Sequence, residues 1–149
     1  MAEQGFTVLG YDYSRAGLGV ATQLADERGV DVDFRRLNLY DHRQVLTAGA
    51  LRPRERGIDL VYARFLLDAL EDEGRRNLWR FCRAVLRGSH GRIYLEFRTE
   101  ATVQPDVVAE ELRGYGFTIE HSETSHGLAV LGDEDPSICR IVARMEPER

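Results

Sequence analysis

The sequence contains no lysine: all 20 of its basic residues are arginine. Arginine binds phosphate and carboxylate through a bidentate fork, so an anion-recognising surface is one reading of this bias. Codon usage in a GC-rich genome accounts for it more simply. Cysteine is scarce as well. Cys82 and Cys139 stand alone, without a CxxC pair, which excludes a disulfide framework and a structural zinc site. His42, His90, His121 and His126 are scattered, and no partner spacing supports a metal or catalytic role for them. No apolar run approaches the ~20 residues of a membrane span. The opening MAEQGFTVLG lacks the basic-then-apolar pattern of a signal peptide. Nor is there an excess of positive charge. The net charge of −5 and pI near 5.4 speak against a general affinity for nucleic acid. These absences point to a soluble cytoplasmic protein with neither a membrane nor a nucleic acid as partner.

The chain has 149 residues, 43% of them hydrophobic, which suits one globular domain over 1–149. Residues 6–11 form an apolar run ending in Asp12, the pattern of a buried strand. Ser14 can cap a helix over 15–28, with Gly17, Val20, Ala21 and Leu24 on one face and Gly29 as its stop. A strand is predicted at 32–37, then a short helix at 44–51 and a charged loop broken by Pro53. Strand 58–63 follows. Leu78, Phe81, Cys82, Val85 and Leu86 recur at helical spacing and define a buried face. The stripe of Arg75, Arg76, Arg80, Arg83 and Arg87 reads as its solvated side. Strand 92–97, helix 105–114 and strands 117–121 and 138–145 complete the order. Strands alternating with helices imply an α/β fold, its sheet largely parallel and covered on both faces. The last two strands, with no helix between them, should pair antiparallel at one edge.

Three stretches carry a family resemblance. Val8-Leu-Gly-Tyr-Asp-Tyr-Ser14 resembles the second strand of class I S-adenosylmethionine-dependent methyltransferases, in which an acidic residue binds the donor's ribose hydroxyls. Asp12 matches that residue, with Tyr13 beside it. Phe34-Arg-Arg-Leu-Asn-Leu-Tyr-Asp41 resembles the third strand and its loop, which places Asn38 and Leu39 at the adenine. Ile58-Asp-Leu-Val-Tyr-Ala-Arg-Phe-Leu-Leu-Asp-Ala-Leu70 is similar to the fourth strand and the loop after it. There Arg64 could meet a carboxylate of donor or substrate, or pair with Glu71 or Asp72. Asp68 is a weak candidate for a general base. The resemblance implies a Rossmann-like α/β sheet with an antiparallel terminal strand pair, and S-adenosylmethionine as cofactor.

The family's opening strand and glycine-rich turn are missing. Only about five residues precede the strand matched to the family's second, and Gly17-Leu-Gly19 lies inside a predicted helix, where it reads as packing. The implied fold is therefore N-terminally incomplete. A chain cut short, a start codon placed too late, or a natural protein that has given up catalysis would each explain it. The leading function is methyl transfer to a small-molecule acceptor, and the alternative is a non-catalytic module used in assembly. A nicotinamide-binding Rossmann domain is disfavoured by the terminal strand pair and the Asn38 loop. In the family order 3-2-1-4-5-7-6 the missing strand is the central one. Its neighbours must then close up, or another copy must insert a segment, and a homodimer is the expectation.

Overall fold

The computed structural model describes residues 1–55, 58–100, 103–129 and 133–146. In chain order it contains β1 (Val8–Asp12), α1 (Arg15–Glu27), β2 (Val32–Arg36), α2 (His42–Glu55), β3 (Leu60–Arg64), α3 (Asp72–Leu86), β4 (Arg92–Arg98), α4 (Pro105–Gly114), β5 (Phe117–Ser125) and β6 (Ile138–Met145). Ser14 caps α1 by accepting a hydrogen bond from the Gly17 N–H at 3.1 Å, and Gly29 takes the left-handed conformation, φ 63°, that ends it. α2 is longer than its sequence suggests. It runs through Pro53, which sits in the last turn, where its missing N–H removes only one bond near the end.

The strands form two sheets. β1 and β2 pair in parallel. The second sheet has the order β3-β4-β6-β5, with β3–β4 parallel and the other two pairings antiparallel. The final strand pair is antiparallel at the edge, as its missing helix implied. β1 and β3 are not hydrogen-bonded to each other, so the expected closing up of these strands does not occur within the chain.

β1 is the strand that faces β3. Met1, Gln4 and Phe6, which lead into β1, line one open cavity with Leu60 and Tyr62 of β3 and Tyr94 of β4. The molecule is thus laid out as β2-β1, a slot, then β3-β4-β6-β5. From β1 to β2 the chain moves one way across this array, and from β2 to β3 it moves the other. Right-handed crossovers then put α1 on one face and α2 on the opposite one. α2 packs on α3, and α3 meets α4. This three-helix face covers the core: Leu78, Phe81, Cys82, Val85 and Leu86 of α3 lie against Ile93, Leu95, Phe97 and Ile141. Tyr11 of β1 reaches the same layer, its ring edge-on to Phe81 at 5.4 Å.

The opposite face has α1 over β1 and β2, and among the described residues no helix over β3–β6. Coverage on both faces, expected from the alternating elements, therefore fails for this half of the array. Tyr62 is 52% exposed there. The face assigned to α1 from sequence is also partly bare, with Val20 and Leu24 exposed and Ala25 turned inward instead. Periodicity locates an apolar stripe but not its partner. A second correction concerns Arg75, which is buried, not solvated. Its guanidinium donates to both Glu111 oxygens, at 3.2 and 3.1 Å, and to Asp72 at 2.7 Å. The buried Trp79 indole N–H also donates to Glu111, at 2.8 Å, so one carboxylate pins α3 to α4.

Candidate functional site

The connections leave β1 and β2 in opposite directions, so the slot is a topological switch point. Open α/β sheets take ligands beyond the carboxyl ends of strands at such a point. Asp12 is the last residue of β1. Its Oδ1 accepts from the Ser14 N–H at 2.8 Å, and its Oδ2 has no hydrogen bond among the described residues. A Cβ on Gly17 would stand 3.1 Å from that Oδ2. Gly17, read from sequence as helix packing, leaves room for the carboxylate against the first turn of α1. Tyr13 is largely exposed, and its carbonyl accepts from Arg36 Nε at 3.0 Å. That bond ties the end of β1 to the end of β2.

Beyond β2 the chain makes a tight loop. The Asn38 side-chain oxygen accepts from the Tyr40 N–H at 3.0 Å, while the Asn38 N–H donates to Gln44 Oε1 at 3.2 Å. Asp41 caps α2 through the Gln44 N–H at 3.1 Å, and this backbone bond above all holds its carboxyl below the usual range. The loop is clamped from α3. The buried Asn77 donates to the Leu39 carbonyl at 2.7 Å and accepts from Arg80 at 2.8 Å, with His42 Nδ1 at 3.3 Å. The Tyr40 hydroxyl accepts from the Glu71 N–H at 3.0 Å, its ring lying over Gly74, where a Cβ would meet it at 3.0 Å. Asn77 escaped the sequence reading. It sits on the edge of the α3 apolar stripe, next to Leu78, and only its burial and partners reveal what it does.

Arg64 and Asp68 are placed differently. Arg64 does not pair with Glu71 or Asp72; its Nε donates to Glu96 at 2.6 Å, and its guanidinium lies 4.9 Å from the Phe65 ring centroid. Glu96 also accepts from Arg140 at 2.8 Å. Burial pushes the Glu96 carboxyl up, but the bonds from Arg140 and Arg64 outweigh it and leave it below the usual range. Asp68, in the short 3-10 turn Leu67–Ala69, is bound by the Arg98 N–H at 3.1 Å and Nε at 2.9 Å. Both its oxygens are thus engaged. Phe65, the residue after β3, is held at φ 54° by its N–H bond to the Glu96 carbonyl at 2.7 Å. This left-handed conformation costs a bulky residue roughly 1–2 kcal/mol. Neither cysteine is a nucleophile of this site: burial pushes the Cys82 thiol up to about 12 and raises that of Cys139. Among the described residues no group of three or more His, Cys, Asp or Glu could hold a metal ion.

The structure brings Asp12, Tyr13, Asn38 and Leu39 together at the ends of the paired strands β1 and β2, and keeps Arg64 and Asp68 in pairs beyond β3. Tested against a nucleoside carrying an amino-acid tail, this set fits one half. A free carboxylate oxygen suits vicinal hydroxyls, and the clamped amide loop suits the edge of a base. At the tail end Arg64 is already bound to Glu96, and no glycine-rich turn precedes β1 in the described residues.

No protein-family model and no curated protein matches the chain. Solved structures do. An S-adenosylmethionine-dependent methyltransferase from Methanosarcina mazei superposes with a TM-score of 0.76 at 14% identity, over 99% of this chain and 85% of that one. A TehB-like S-adenosylmethionine-dependent methyltransferase from Corynebacterium glutamicum gives 0.72 at 19% identity, over 97% and 71%. Magnesium protoporphyrin IX methyltransferase from Synechocystis, with bound S-adenosylmethionine, gives 0.69 at 19%, over 97% and 62%. Each of these superpositions takes in at least 97% of this chain. The strand order, the antiparallel finish and the two-faced helices together give this chain the class I methyltransferase fold, with no strand between β1 and β3 among the described residues.

Proposed function

We propose that the chain serves S-adenosylmethionine-dependent methyl transfer to a small-molecule acceptor, and that it contributes the nucleoside-binding half of the donor site. The observation that carries this reading is the free Asp12 oxygen at the end of β1, beside the clamped Asn38–Leu39 loop at the end of β2. In this reading Asp12 accepts from the ribose hydroxyls. The Asn38 amide meets the adenine edge while Leu39 and Tyr13 flank the ring. Phe65, strained at the carboxyl end of β3, adds support, because such strain is kept where a site needs it.

Calorimetric titration with S-adenosylmethionine, its demethylated product and adenosine tests the reading. The expected result is weak binding, with dissociation constants well above the micromolar range. Adenosine should bind within about threefold of the two larger ligands, because the tail finds no partner. Asp12→Ala should weaken binding by about 1–3 kcal/mol, the value of a hydrogen bond to a charged group. Micromolar or tighter binding of the donor alone would show that the tail site is complete and the assignment of the missing strand wrong. No binding of any of the three, even at millimolar concentration, would favour the second reading, a scaffold retained for assembly. The unpaired slot is the observation that supports it.

A further inference from the structure

Asn77 is a polar residue where the packing of α3 calls for an apolar one. It lies between Gly74 and Leu78 on the buried stripe and is 1% exposed. A buried amide costs stability unless it is hydrogen-bonded, and asparagine is among the weaker helix formers. An apolar residue of the same size would suit the stripe, but it would leave the Leu39 carbonyl without its donor. The partners of Asn77 also fix which way its amide points. Arginine carries only donors, so the atom that Arg80 meets at 2.8 Å is the Asn77 oxygen. The atom 2.7 Å from the Leu39 carbonyl is then the nitrogen. His42 Nδ1 lies 3.3 Å from the same Asn77 oxygen.

The bond to Leu39 acts on a single peptide unit. A trans peptide is planar, with its C=O and N–H pointing in opposite directions. In the unit joining Leu39 to Tyr40, the carbonyl is held by Asn77 and the N–H donates to the Asn38 side-chain oxygen at 3.0 Å. Two amide side chains therefore grip opposite edges of one plane. The backbone of Asn38 is held as well. Its N–H donates to Gln44, and its carbonyl accepts from the Asp41 N–H at 3.0 Å. What remains to be set is the rotation of the Asn38 amide, and the Tyr40 N–H sets it by engaging the oxygen. The Asn38 side-chain nitrogen has no hydrogen bond among the described residues.

We infer that Asn77 is a positioning residue for the nucleoside half of the site, acting through the Leu39–Tyr40 peptide to aim the Asn38 amide. This rests on the reading that Asn38 meets the edge of the base. Asn77 acts from behind the loop, without touching the ligand. When its donor is removed, the peptide is free to turn over and the Tyr40 N–H leaves the Asn38 oxygen. The Asn38 amide then presents either of its two ends. A base edge is recognised by a fixed pattern of donors and acceptors, so an unaimed amide loses that recognition.

Asn77→Asp tests this with almost no change of shape. The carboxylate keeps acceptors for Arg80 and His42 and loses the donor to Leu39. In the free 149-residue protein, NMR relaxation should give the Leu39 and Tyr40 amides order parameters of about 0.85, falling to about 0.6 or less in the variant. The β4 amides should not change. In titration with adenosine, the substitution should weaken binding about fivefold or more. In an Asn38→Ala background it should change binding by less than about twofold, because the group being aimed is gone. A purely structural role would give the same loss in both backgrounds. If Asn77→Asp does not fold, Arg80→Ala is measured in its place. It removes, from the exposed side of α3, a donor that orients the Asn77 amide, and the two loop amides should again lose order. Unchanged order parameters, or equal losses of adenosine binding in the two backgrounds, overturn the inference. If the unaltered chain binds no adenosine, the nucleoside reading falls, and the order parameters still decide whether Asn77 aims the Asn38 amide.

Discussion

At the residue scale, two carboxylates, the buried Glu96 and the half-buried Glu111, tie elements together in a way the sequence does not reveal. Glu96 lies under two arginines drawn from strands far apart in sequence, and Glu111 serves a buried arginine and a tryptophan at once. Asp12 could be placed from sequence because a carboxylate closing an apolar run stands at a strand's end. Arg75 could not. Arginine at regular helical spacing reads as solvated until a carboxylate from another helix turns toward it, and Glu111 is 36 positions away. The Glu96 cluster makes a pH prediction. Its carboxyl is lowered in the folded protein, so the stability it lends is full above the unfolded value of about 4.3. That contribution disappears as the pH falls through the lower folded value. Glu96→Gln should cost about 1–3 kcal/mol at pH 7, because Arg64 and Arg140 then face each other without the charge between them. Urea unfolding of both proteins from pH 7 to pH 3 should show the gap shrinking below about pH 4.5. A gap that stays constant across this range would rule out the ionised carboxylate as its source.

At the element scale, α3 was the most legible part of the chain and α1 the least. In α3 one strong stripe meets one sheet, so spacing alone identified Leu78, Phe81, Val85 and Leu86 as buried, with Arg76, Arg80 and Arg83 outside. Phe81 also touches Tyr11 across the floor of the slot, which links the two sheets. Phe81→Ala should therefore cost about 3–5 kcal/mol, a large share of the stability of such a chain. A melting curve unchanged by this substitution would refute the packing described for α3. For α1 the same spacing argument selected Val20 and Leu24, yet neither is covered. The stripe is real, and among the described residues nothing covers Val20 or Leu24. Pro53 misled for a simpler reason, since a proline at the last turn of a helix resembles one that precedes a loop.

At the scale of the whole molecule, the count of strands was the informative signal. Six strands in an order known to need seven implied a vacancy at the centre, and the separation of β1 from β3 lies where that count places it. Spacing could not foretell that the two halves would stay apart, because the helices beneath them, α2 packed on α3, hold that distance from the other face. The face above the slot then has little to do with the stability of the chain by itself, and this can be measured. Tyr62 and Tyr94 project from β3 and β4 with much of their surface in water. Tyr62→Thr keeps a residue suited to a strand and removes an aromatic ring with no covering layer. Its cost to the isolated chain should lie within about 0.5 kcal/mol, or roughly 2 °C in melting temperature. The same substitution should reduce the binding of an apolar fluorescent dye, because it shrinks the exposed patch. A loss of about 2 kcal/mol or more would mean that Tyr62 is already covered in solution, and the bare face would have to be abandoned along with the slot beneath it.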